Sequence, residues 1–221
     1  MASEDKRAAT LDDERPLRAD AERNRRRLLD AAEATFCERG LEVGVGEIAR
    51  RAGVGRATLF RNFPSKEHLI AAIVVERMSE ATARGEQLLE APDAGEALFE
   101  FLRDLVGRQQ LDRSLFEAVA DTFLANEEIR TAYEQLVAVI DRLLRRAQAA
   151  GAVRPDAGPV DVMMLFKGVC VASSTFQQID PAIGERAMDL ARAALSVAPG
   201  APALRGRTPT LEELGRAHAA D

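Results

Sequence analysis

Apolar residues recur at helical spacing from residue 23 onward, and glycines repeatedly interrupt the pattern. In "NRRRLLDAAEATFCERG", Leu28, Ala32 and Phe36 lie four residues apart on one stripe, which predicts a first helix that stops at Gly40. The next run, "VGEIARRAG", ends at Gly53, where a left-handed turn suits a residue without a side chain. The pattern therefore predicts two helices separated by a glycine-rich break.

A third run, "RATLFRNF", restarts directly after "GVG", with Leu59 and Phe63 four residues apart. Then "PSKEHLIAAIVVERM" begins a long helix that Ser65 can cap. Two helices joined by a turn of about 3 to 4 residues form a helix-turn-helix, whose second helix lies in the DNA major groove. Glycines also occupy turns in helical proteins that bind no DNA, so this pattern alone leaves a purely structural interpretation open.

Beyond residue 68 the sequence predicts a helical body. Its interruptions are "APDAG", "GRQQLD", "GAVRPDAGP" and "DPAIG". The helical runs between them are approximately 92–107, 114–125, 127–150, 157–178 and 183–198. The fold class predicted is all-α, with an N-terminal three-helix helix-turn-helix head joined to a larger helical body.

Two flanking segments lack this regularity. The first 20 residues are predicted to be a disordered arm that could lay arginines near the DNA minor groove. Residues 199–221, rich in proline, glycine and alanine, are predicted to be mostly irregular and either mobile or docked on a neighbour. Thr210 and Glu213 have the spacing of a capping box, which could start a short helix.

Composition narrows the class of protein. With 221 residues and 47% hydrophobic content, the chain can bury a proper core. The charged start "MASEDKRAATLDDERPLR" does not resemble a signal peptide, and we expect a cytoplasmic protein that is not embedded in a membrane. The two cysteines, Cys37 and Cys170, lie far apart without C-x-x-C spacing, so we expect two buried thiols rather than a disulfide or a zinc site.

Charge is distributed unevenly around a total of -6. Residues 15–67 carry 12 basic and 8 acidic side chains, while residues 68–221 carry 16 and 23. The basic segment coincides with the broken helices, which favours contact with nucleic acid there. The run Arg23–Arg27 is also typical of a solvated helix face.

The stretch "LLDAAEATFCERG...VGEIARRAGVGRATLFRNFPSKEHL" resembles the N-terminal signature of the TetR/AcrR bacterial transcriptional regulators, densely over about residues 23–70. The resemblance implies a homodimer with DNA-binding heads at residues 21–68 and a ligand-binding and dimerisation body at residues 69–198. It implies a repressor that leaves a palindromic double-stranded operator when a small-molecule effector binds.

Carried over onto this sequence, the resemblance implies two kinds of DNA contact. The residues expected to face base edges are Arg56, Ala57 and Arg61, and those expected at the phosphate backbone are Thr58, Phe60, Asn62 and Lys66. We expect the two arginines to be the base readers, because a guanidinium matches guanine O6 and N7; a phosphate contact is the alternative for each.

Three positions depart from the commonest residues of the family. Gly44 and Gly55 replace residues that often cap the two helices of the motif, and Phe60 replaces a frequent tyrosine. Gly44 can therefore offer a phosphate only its backbone amide, the recognition helix can start less rigidly, and Phe60 can simply pack.

In such proteins the last two long helices form the dimer interface. Two segments of this chain fit that role: residues 159–178 are apolar nearly all round, and residues 183–198 carry a stripe of small residues. The interface residues expected are Val162, Phe166, Val169, Ile183, Ala187, Leu190 and Ala194. A ligand pocket is also implied, although most of its candidates could be plain core: Phe101, Phe123, Asn126, Tyr133, Met163, Phe166, Lys167, Cys170 and Ser174. Lys167, set in an apolar helix, could meet an acidic ligand, pair with an acidic side chain of the body, or extend to water.

Two other function classes stay open at this point. A helical enzyme is disfavoured, because the only histidines are His68 and His218 and the sequence contains no nucleophile elbow, phosphate-binding loop or metal-ligand spacing. We therefore expect no catalysis, no cofactor and no metal site. A regulator that binds DNA without sensing a ligand is the closer alternative.

Overall fold

The computed structural model describes the backbone of residues 5–120, 126–198, 200, 202–210 and 213, with side chains described outside 5–19 and 108–120. This part of the chain contains eight helices and no strand, which confirms the all-α fold class. They are α1 (Asp5–Arg39), α2 (Val45–Ala52), α3 (Arg56–Asn62), α4 (Lys66–Leu88), α5 (Ala94–Ala120), α6 (Glu127–Ala149), α7 (Pro159–Phe176) and α8 (Ile183–Leu195). The chain divides into two compact units, Met1–Ile73 and Val74–Asp221, and passes from one to the other within α4.

Helix α1 begins at Asp5, inside the stretch for which the sequence suggests a disordered arm. The 35-residue helix continues through Pro16, a residue that normally interrupts helices. Alanine, arginine, leucine, glutamate and lysine, which have high helix propensity, make up most of its first half, beside four aspartates and the single proline.

The first unit is held together by one apolar stripe from each of its four helices. Leu28, Ile48, Leu59 and Leu69, from α1, α2, α3 and α4 respectively, have no exposed side-chain surface. Burying a leucine or isoleucine side chain contributes about 1.5 to 3 kcal/mol. Because α3 is only seven residues long, its position depends on this packing more than on its own hydrogen bonds.

The turn between α2 and α3 has the geometry that the glycine pattern predicts. Gly53 is left-handed, with φ 66° and ψ 34°. Its N–H donates to the Arg50 carbonyl at 3.1 Å, and the Val54 N–H donates to the Ala49 carbonyl at 3.0 Å. These bonds satisfy the last carbonyls of α2 and let the chain reverse within three residues.

In the second unit, α5 runs without a break from Ala94 to Ala120, so the interruption expected at "GRQQLD" is wrong. The segment contains no proline, and every residue in it apart from Gly107 and Asp112 is a good helix former. The other body helices fall within a few residues of their predicted positions.

Close helix packing defines the core of the second unit, and Gly85 of α4 is its tightest point. A Cβ atom at this position would lie 2.8 Å from Val139 Cγ1 on α6 and 3.0 Å from Phe101 Cε2 on α5. The glycine therefore lets three helices approach more closely than a larger residue would allow.

The segment after α8 lies along the loop between α6 and α7. Val153 and Ser196 form an antiparallel bridge, and the Arg154 guanidinium donates to the Pro202 carbonyl at 2.8 Å. The Leu204 N–H donates to the Asp156 carboxylate at 2.9 Å. Ser196, Pro202 and Leu204 thus contact the α6–α7 loop of their own chain, whereas the sequence suggested a tail that is mobile or docked on a neighbour.

The capping box predicted in the tail is present. The Thr210 N–H donates to the Glu213 carboxylate at 2.9 Å, and the Glu213 N–H donates to Thr210 Oγ1 at 3.2 Å. Arg207 forms a bidentate ion pair with the same carboxylate. Together these contacts lower the pKa of Glu213 to about 2, the Arg207 hydrogen bond being the largest cause.

The two cysteines differ in exposure. Cys170 is buried, and burial raises the pKa of its thiol to about 12. Cys37 is exposed, so the expectation of two buried thiols is wrong for this residue. The apolar stripe of α1 runs through Phe36, and the next residue points about 100° away from it.

Candidate nucleic-acid interface

Helix α3 presents a polar and aromatic face outside the core of the first unit. Arg56, Ala57, Phe60 and Arg61 are exposed, whereas Leu59 is fully buried. The exposed positions fall at i, i+1, i+4 and i+5, which places them on one side of a helix. The structure therefore brings the predicted base-facing residues together on one surface.

Both helices of the motif start without a side-chain cap. Gly44 and Gly55 are extended, with φ and ψ of -74° and 143°, and of -72° and 152°, and neither has a side chain to accept from the first turn. The free N–H groups at these two helix starts are available to an acceptor oxygen such as that of a phosphate.

The polar side chains of α3 differ in whether they point outward. Arg61 Nη2 lies 3.4 Å from Thr58 Oγ1, so these two predicted contacts adjoin each other. Asn62 Nδ2 donates to the Thr58 carbonyl at 2.8 Å, so this amide is directed along its own helix. An Asn62 contact with phosphate would require the side chain to leave that bond.

Lys66, predicted to contact phosphate, is directed toward the core side of α4. Its ammonium donates to the Leu41 carbonyl and lies 6.0 Å from the centre of the Phe36 ring. Both partners belong to the end of α1 and the loop that follows it. Lys66 therefore fixes the start of α4 against that loop, in addition to any contact with DNA.

Ser65 has the capping role that the sequence predicts. The His68 N–H donates to Ser65 Oγ at 3.4 Å, and His68 Nδ1 lies 2.9 Å from the same oxygen. The Ser65 hydroxyl also holds the pKa of the Glu67 carboxyl below its usual value.

Several arginines of the basic segment are held by carboxylates. Arg51 makes a bidentate pair with Glu38 at 2.6 and 2.7 Å, and this pair lowers the pKa of the glutamate. Arg39 pairs with Glu47, which lies 3.4 Å from the Arg50 guanidinium. By contrast, within the described residues the Arg56 guanidinium has no hydrogen-bond or ion-pair partner. Arg56 therefore keeps its charge free for an anionic partner.

Two arginines of α1 also reach the helix-turn-helix, which the sequence reasoning did not single out. The Arg25 guanidinium stacks over the Phe63 ring at 4.6 Å from its centre. A guanidinium nitrogen of Arg27 lies 2.8 Å from where a Cβ atom would stand on Gly53. The sequence offered only the run "RNRRR", which is also typical of a solvated helix face.

The described residues among those predicted for a ligand pocket line neither of two clefts in the second unit. Phe101 and Cys170 are buried in the core of the second unit, and Asn126 uses its side chain to cap α6, accepting from the N–H groups of Glu128 and Ile129. Lys167 is exposed on α7, which agrees with the alternative in which its side chain extends to water. Phe123 lies outside the described residues.

The structure does join one pair of the predicted pocket residues. The Tyr133 hydroxyl lies 3.7 Å from Met163 Sδ, and burial raises the pKa of this tyrosine. Phe166 and Ser174 are half-buried on α7. A cleft of about 330 Å³ opens elsewhere in the same unit, and none of the predicted residues lines it: Val75, Ser79, Glu127, Glu128, Thr131, Ala132 and Gln135.

Two of the three dimer residues predicted on α7 are buried within the chain itself. Val162 is 0% and Val169 4% exposed, so both belong to the chain's own core and have no surface left for a partner. The opposite side of α7 exposes Met164, Gly168 and Val171, a stripe at i, i+4 and i+7. Because α7 is apolar nearly all round, sequence alone did not distinguish the two faces.

The α8 positions agree better with an exposed surface. Leu190 is 63% exposed, Ala194 is also exposed, and Ile183 and Ala187 are half-buried.

Helix α7 is, by length and composition alone, apolar enough to cross a membrane, with a mean hydropathy of 1.3 over its 18 residues. It carries Asp161 and Lys167, and core residues of the second unit line one of its sides.

Comparison with known proteins identifies both parts of the chain. The model of the family described as bacterial regulatory proteins, tetR family, matches residues 28–73. The model of the C-terminal domain of SbtR-like transcriptional regulators matches residues 93–197.

Individual relatives agree with these matches. The HTH-type transcriptional repressor KstR of Mycobacterium tuberculosis is 32% identical over 150 residues, which are 65% of this chain and 67% of that protein. The crystal structure of a TetR transcription regulatory protein from Mycobacterium vanbaalenii is 35% identical, with a TM-score of 0.62 over 82% of this chain and 100% of that one. TetR transcriptional regulator SCO0520 from Streptomyces coelicolor is 29% identical, with a TM-score of 0.63 over 78% and 98%.

Proposed function

The chain belongs to the TetR family of bacterial transcriptional regulators, and we propose that it is a homodimeric repressor that leaves a palindromic operator when a small molecule binds its body. That it is a DNA-binding regulator follows from the family. The proposal concerns how it reads DNA, how it pairs, and what releases it.

The observation that carries the DNA-binding role is the exposed face of α3, with Arg61 beside Thr58 and with Arg56 free of any partner among the described residues. A guanidinium without a carboxylate partner can donate two parallel hydrogen bonds to guanine. Arg56 and Arg61 are therefore the base readers in this proposal. The uncapped starts of α2 and α3 add backbone N–H groups that can position phosphates.

Selection of duplexes from a random-sequence pool tests this role. The expected product is a palindrome whose half-sites are centred about 34 to 36 Å apart or slightly further. Affinity for the selected duplex should fall steeply with salt, because bound phosphates release counterions. Recovery of no preferred sequence would contradict the proposal.

Pairing of two chains is supported by the exposed stripe on α7 and by Leu190 on α8. These side chains are apolar, they lie on neighbouring helices of one unit, and a surface of this kind favours association. A palindromic site also requires two heads related by a two-fold axis. Analytical ultracentrifugation should show a dimer at micromolar concentration.

Release by a small molecule is supported by the family and by the passage of the chain from the first unit to the second within α4. A ligand that prefers the form unable to bind DNA must weaken DNA binding by the same factor as DNA weakens ligand binding. The coupling is typically about 1 to 3 kcal/mol. The exposure of Lys167 gives no support to an acidic ligand, and we propose a small, mostly apolar one.

A thermal-shift screen of small apolar compounds, followed by titration into the complex with DNA, tests the switch. Binding to the native state alone raises the melting temperature. A compound that both stabilises the protein and releases the duplex supports the proposal. If every compound that binds does so equally well with and without DNA, the protein is instead a ligand-independent regulator.

We also propose that the protein acts without catalysis. Ser65 and His68 form the one serine–histidine contact in the described part of the chain, and the serine oxygen already caps α4. A nucleophilic serine needs a histidine that is in turn oriented by a third group. A serine-reactive fluorophosphonate probe should leave the protein unlabelled.

A further inference from the structure

Gly46 stands at a position where α2 has no conformational need for glycine. It lies in the first turn of an eight-residue helix, and it is not among the glycines with positive φ. Glycine is less favourable than alanine inside a helix, and α2 already lacks a side-chain cap. The residue therefore weakens a short helix without serving its backbone geometry.

The space left by the missing side chain is filled by the guanidinium of Arg56. A Cβ atom built on Gly46 would lie 2.8 Å from Arg56 Nε and 2.9 Å from Arg56 Cζ, and closer still to Nη2. Real Cβ atoms essentially never approach neighbours within 3.0 Å. Every other residue at position 46 must therefore displace this guanidinium.

The guanidinium of Arg56 occupies the space beside Gly46 without any charge pairing among the described residues. The adjacent carboxylate, Glu47, is engaged by Arg39 and lies 3.4 Å from Arg50. Among the described residues Arg56 has no ion pair or hydrogen bond, so its N–H donors stay available, and Gly46 leaves open the space on the α2 side in which the guanidinium lies. A donor group that is free of partners suits readout of a base edge.

We propose that Gly46 is a positioning residue for Arg56, which directs the guanidinium along the α2 side of α3 and so determines which base it reads. The inference rests on the proposed DNA-binding role of Arg56. A side chain at position 46 turns the guanidinium away from that side, and the protein then loses affinity for its preferred base at one operator position. Substitution of Gly46 acts only through Arg56.

A double-mutant cycle tests this dependence. Gly46→Ala, Arg56→Ala and the double variant are titrated with the duplex that the wild-type protein selects from a random pool, with its single-base-pair variants, and with a scrambled duplex. We expect Gly46→Ala to lower affinity for the selected duplex about tenfold and to change preference at the base pair that Arg56→Ala relaxes. In the Arg56→Ala background the same substitution should change affinity less than twofold.

Stability separates positioning from a structural defect. Because alanine favours helix, Gly46→Ala should unfold at an equal or higher urea concentration while it binds DNA more weakly. Gly107→Ala is the matched control, since it makes the same change at an exposed helical position where a Cβ meets nothing within 4 Å. It should leave affinity unchanged.

Each remaining outcome assigns the failure to one proposal. An equal loss from Gly46→Ala with and without Arg56, or no loss in either background, overturns the positioning role and leaves the DNA-binding role intact. If Arg56→Ala binds as tightly as the wild type, Arg56 is not a base reader and the inference falls with that assignment. If the wild-type protein selects no sequence, the proposed function itself is contradicted.

Discussion

Helices α3 and α7 each leave one face uncovered, but the two faces have opposite chemistry. On α3 the uncovered side chains include Arg56 and Arg61, whereas on α7 they include Met164 and Val171. A charged face is stable in water by itself and is prepared for an anionic partner. An apolar face favours association with another apolar surface. The comparison shows that one unit can present its binding helix alone, whereas we expect the other to be complete only beside a second chain.

The largest effect should come from breaking the apolar surface. Leu190→Arg leaves a single chain able to fold, because the side chain is 63% exposed, but it would bury an unpaired charge between two chains. Such a charge typically costs several kcal/mol, and each 1.4 kcal/mol is a tenfold change. We expect monomers in ultracentrifugation and roughly a hundredfold or greater loss of operator affinity.

Ala138→Arg is the matched control for that variant. It adds the same charge at an exposed position of α6, outside the proposed interface, and should remain dimeric. A dimeric Leu190→Arg protein would locate the interface on another surface.

The charged face of α3 should respond less strongly and more selectively. Arg61→Ala removes a proposed base contact, so we expect a loss of about 1 to 3 kcal/mol in binding free energy and a relaxed preference at one base pair. Binding titrations against single-base-pair variants of the operator measure both. Arg50→Ala removes the same charge from the same unit and should weaken all duplexes alike. If Arg50→Ala relaxed the base preference and Arg61→Ala did not, Arg50 and not Arg61 would be the base reader.

A smaller effect should distinguish tight from open glycine positions within the second unit. Gly85→Ala forces a methyl group to within 2.8 Å of Val139, so overpacking should outweigh the gain in helix propensity and lower the free energy of unfolding by about 1 kcal/mol. Gly107→Ala, which meets open space, should raise it by about 0.5 to 1 kcal/mol. Urea unfolding measures both, and equal shifts would mean that α4 relaxes without cost.

The smallest effect concerns the docked tail and its dependence on pH. The Arg154 side chain first, and then the Leu204 N–H, hold the pKa of the Asp156 carboxyl well below its usual value. Since the folded pKa is the lower one, the contact is fully stabilising above the unfolded value of about 3.9 and is lost as pH falls through the folded pKa. The Leu204 amide resonance should therefore shift upfield only as the pH falls through the lowered pKa of Asp156, well below about 3.9, because its hydrogen bond to the carboxylate is lost there.

Asp156→Asn tests the same contact at neutral pH. The substitution should increase tryptic cleavage at Arg205 and Arg207 several-fold and leave the melting temperature unchanged. Unchanged cleavage would show that other contacts hold the tail.

The sequence predicted the helix-turn-helix well because glycine and spacing determine it locally. Gly40 and Gly53 end α1 and α2 where a left-handed residue is needed, and both have positive φ. The stripe through Leu28 and Phe36 likewise marks the buried side of α1. Such local rules do not depend on what the helices later contact.

The sequence did not predict which side chains are buried or where they point when this depends on residues elsewhere in the fold. Helix α7 has apolar residues on every side, so only its packing shows that Val162 is core and that Met164 is surface. The direction of Lys66 depends on the Leu41 carbonyl, which lies 25 residues earlier in the chain. Residue identity alone carries no information about either partner.

The docking of residues 196–204 on the loop at 152–156 also has a consequence for biosynthesis. Asp156 and its partner Leu204 are 48 residues apart, so at about 5 to 20 residues per second the ribosome completes this contact roughly 2 to 10 s after it has made the loop. The compact first unit ends at Ile73, within α4. The ribosome therefore completes the helix-turn-helix while the body still lacks its last segment.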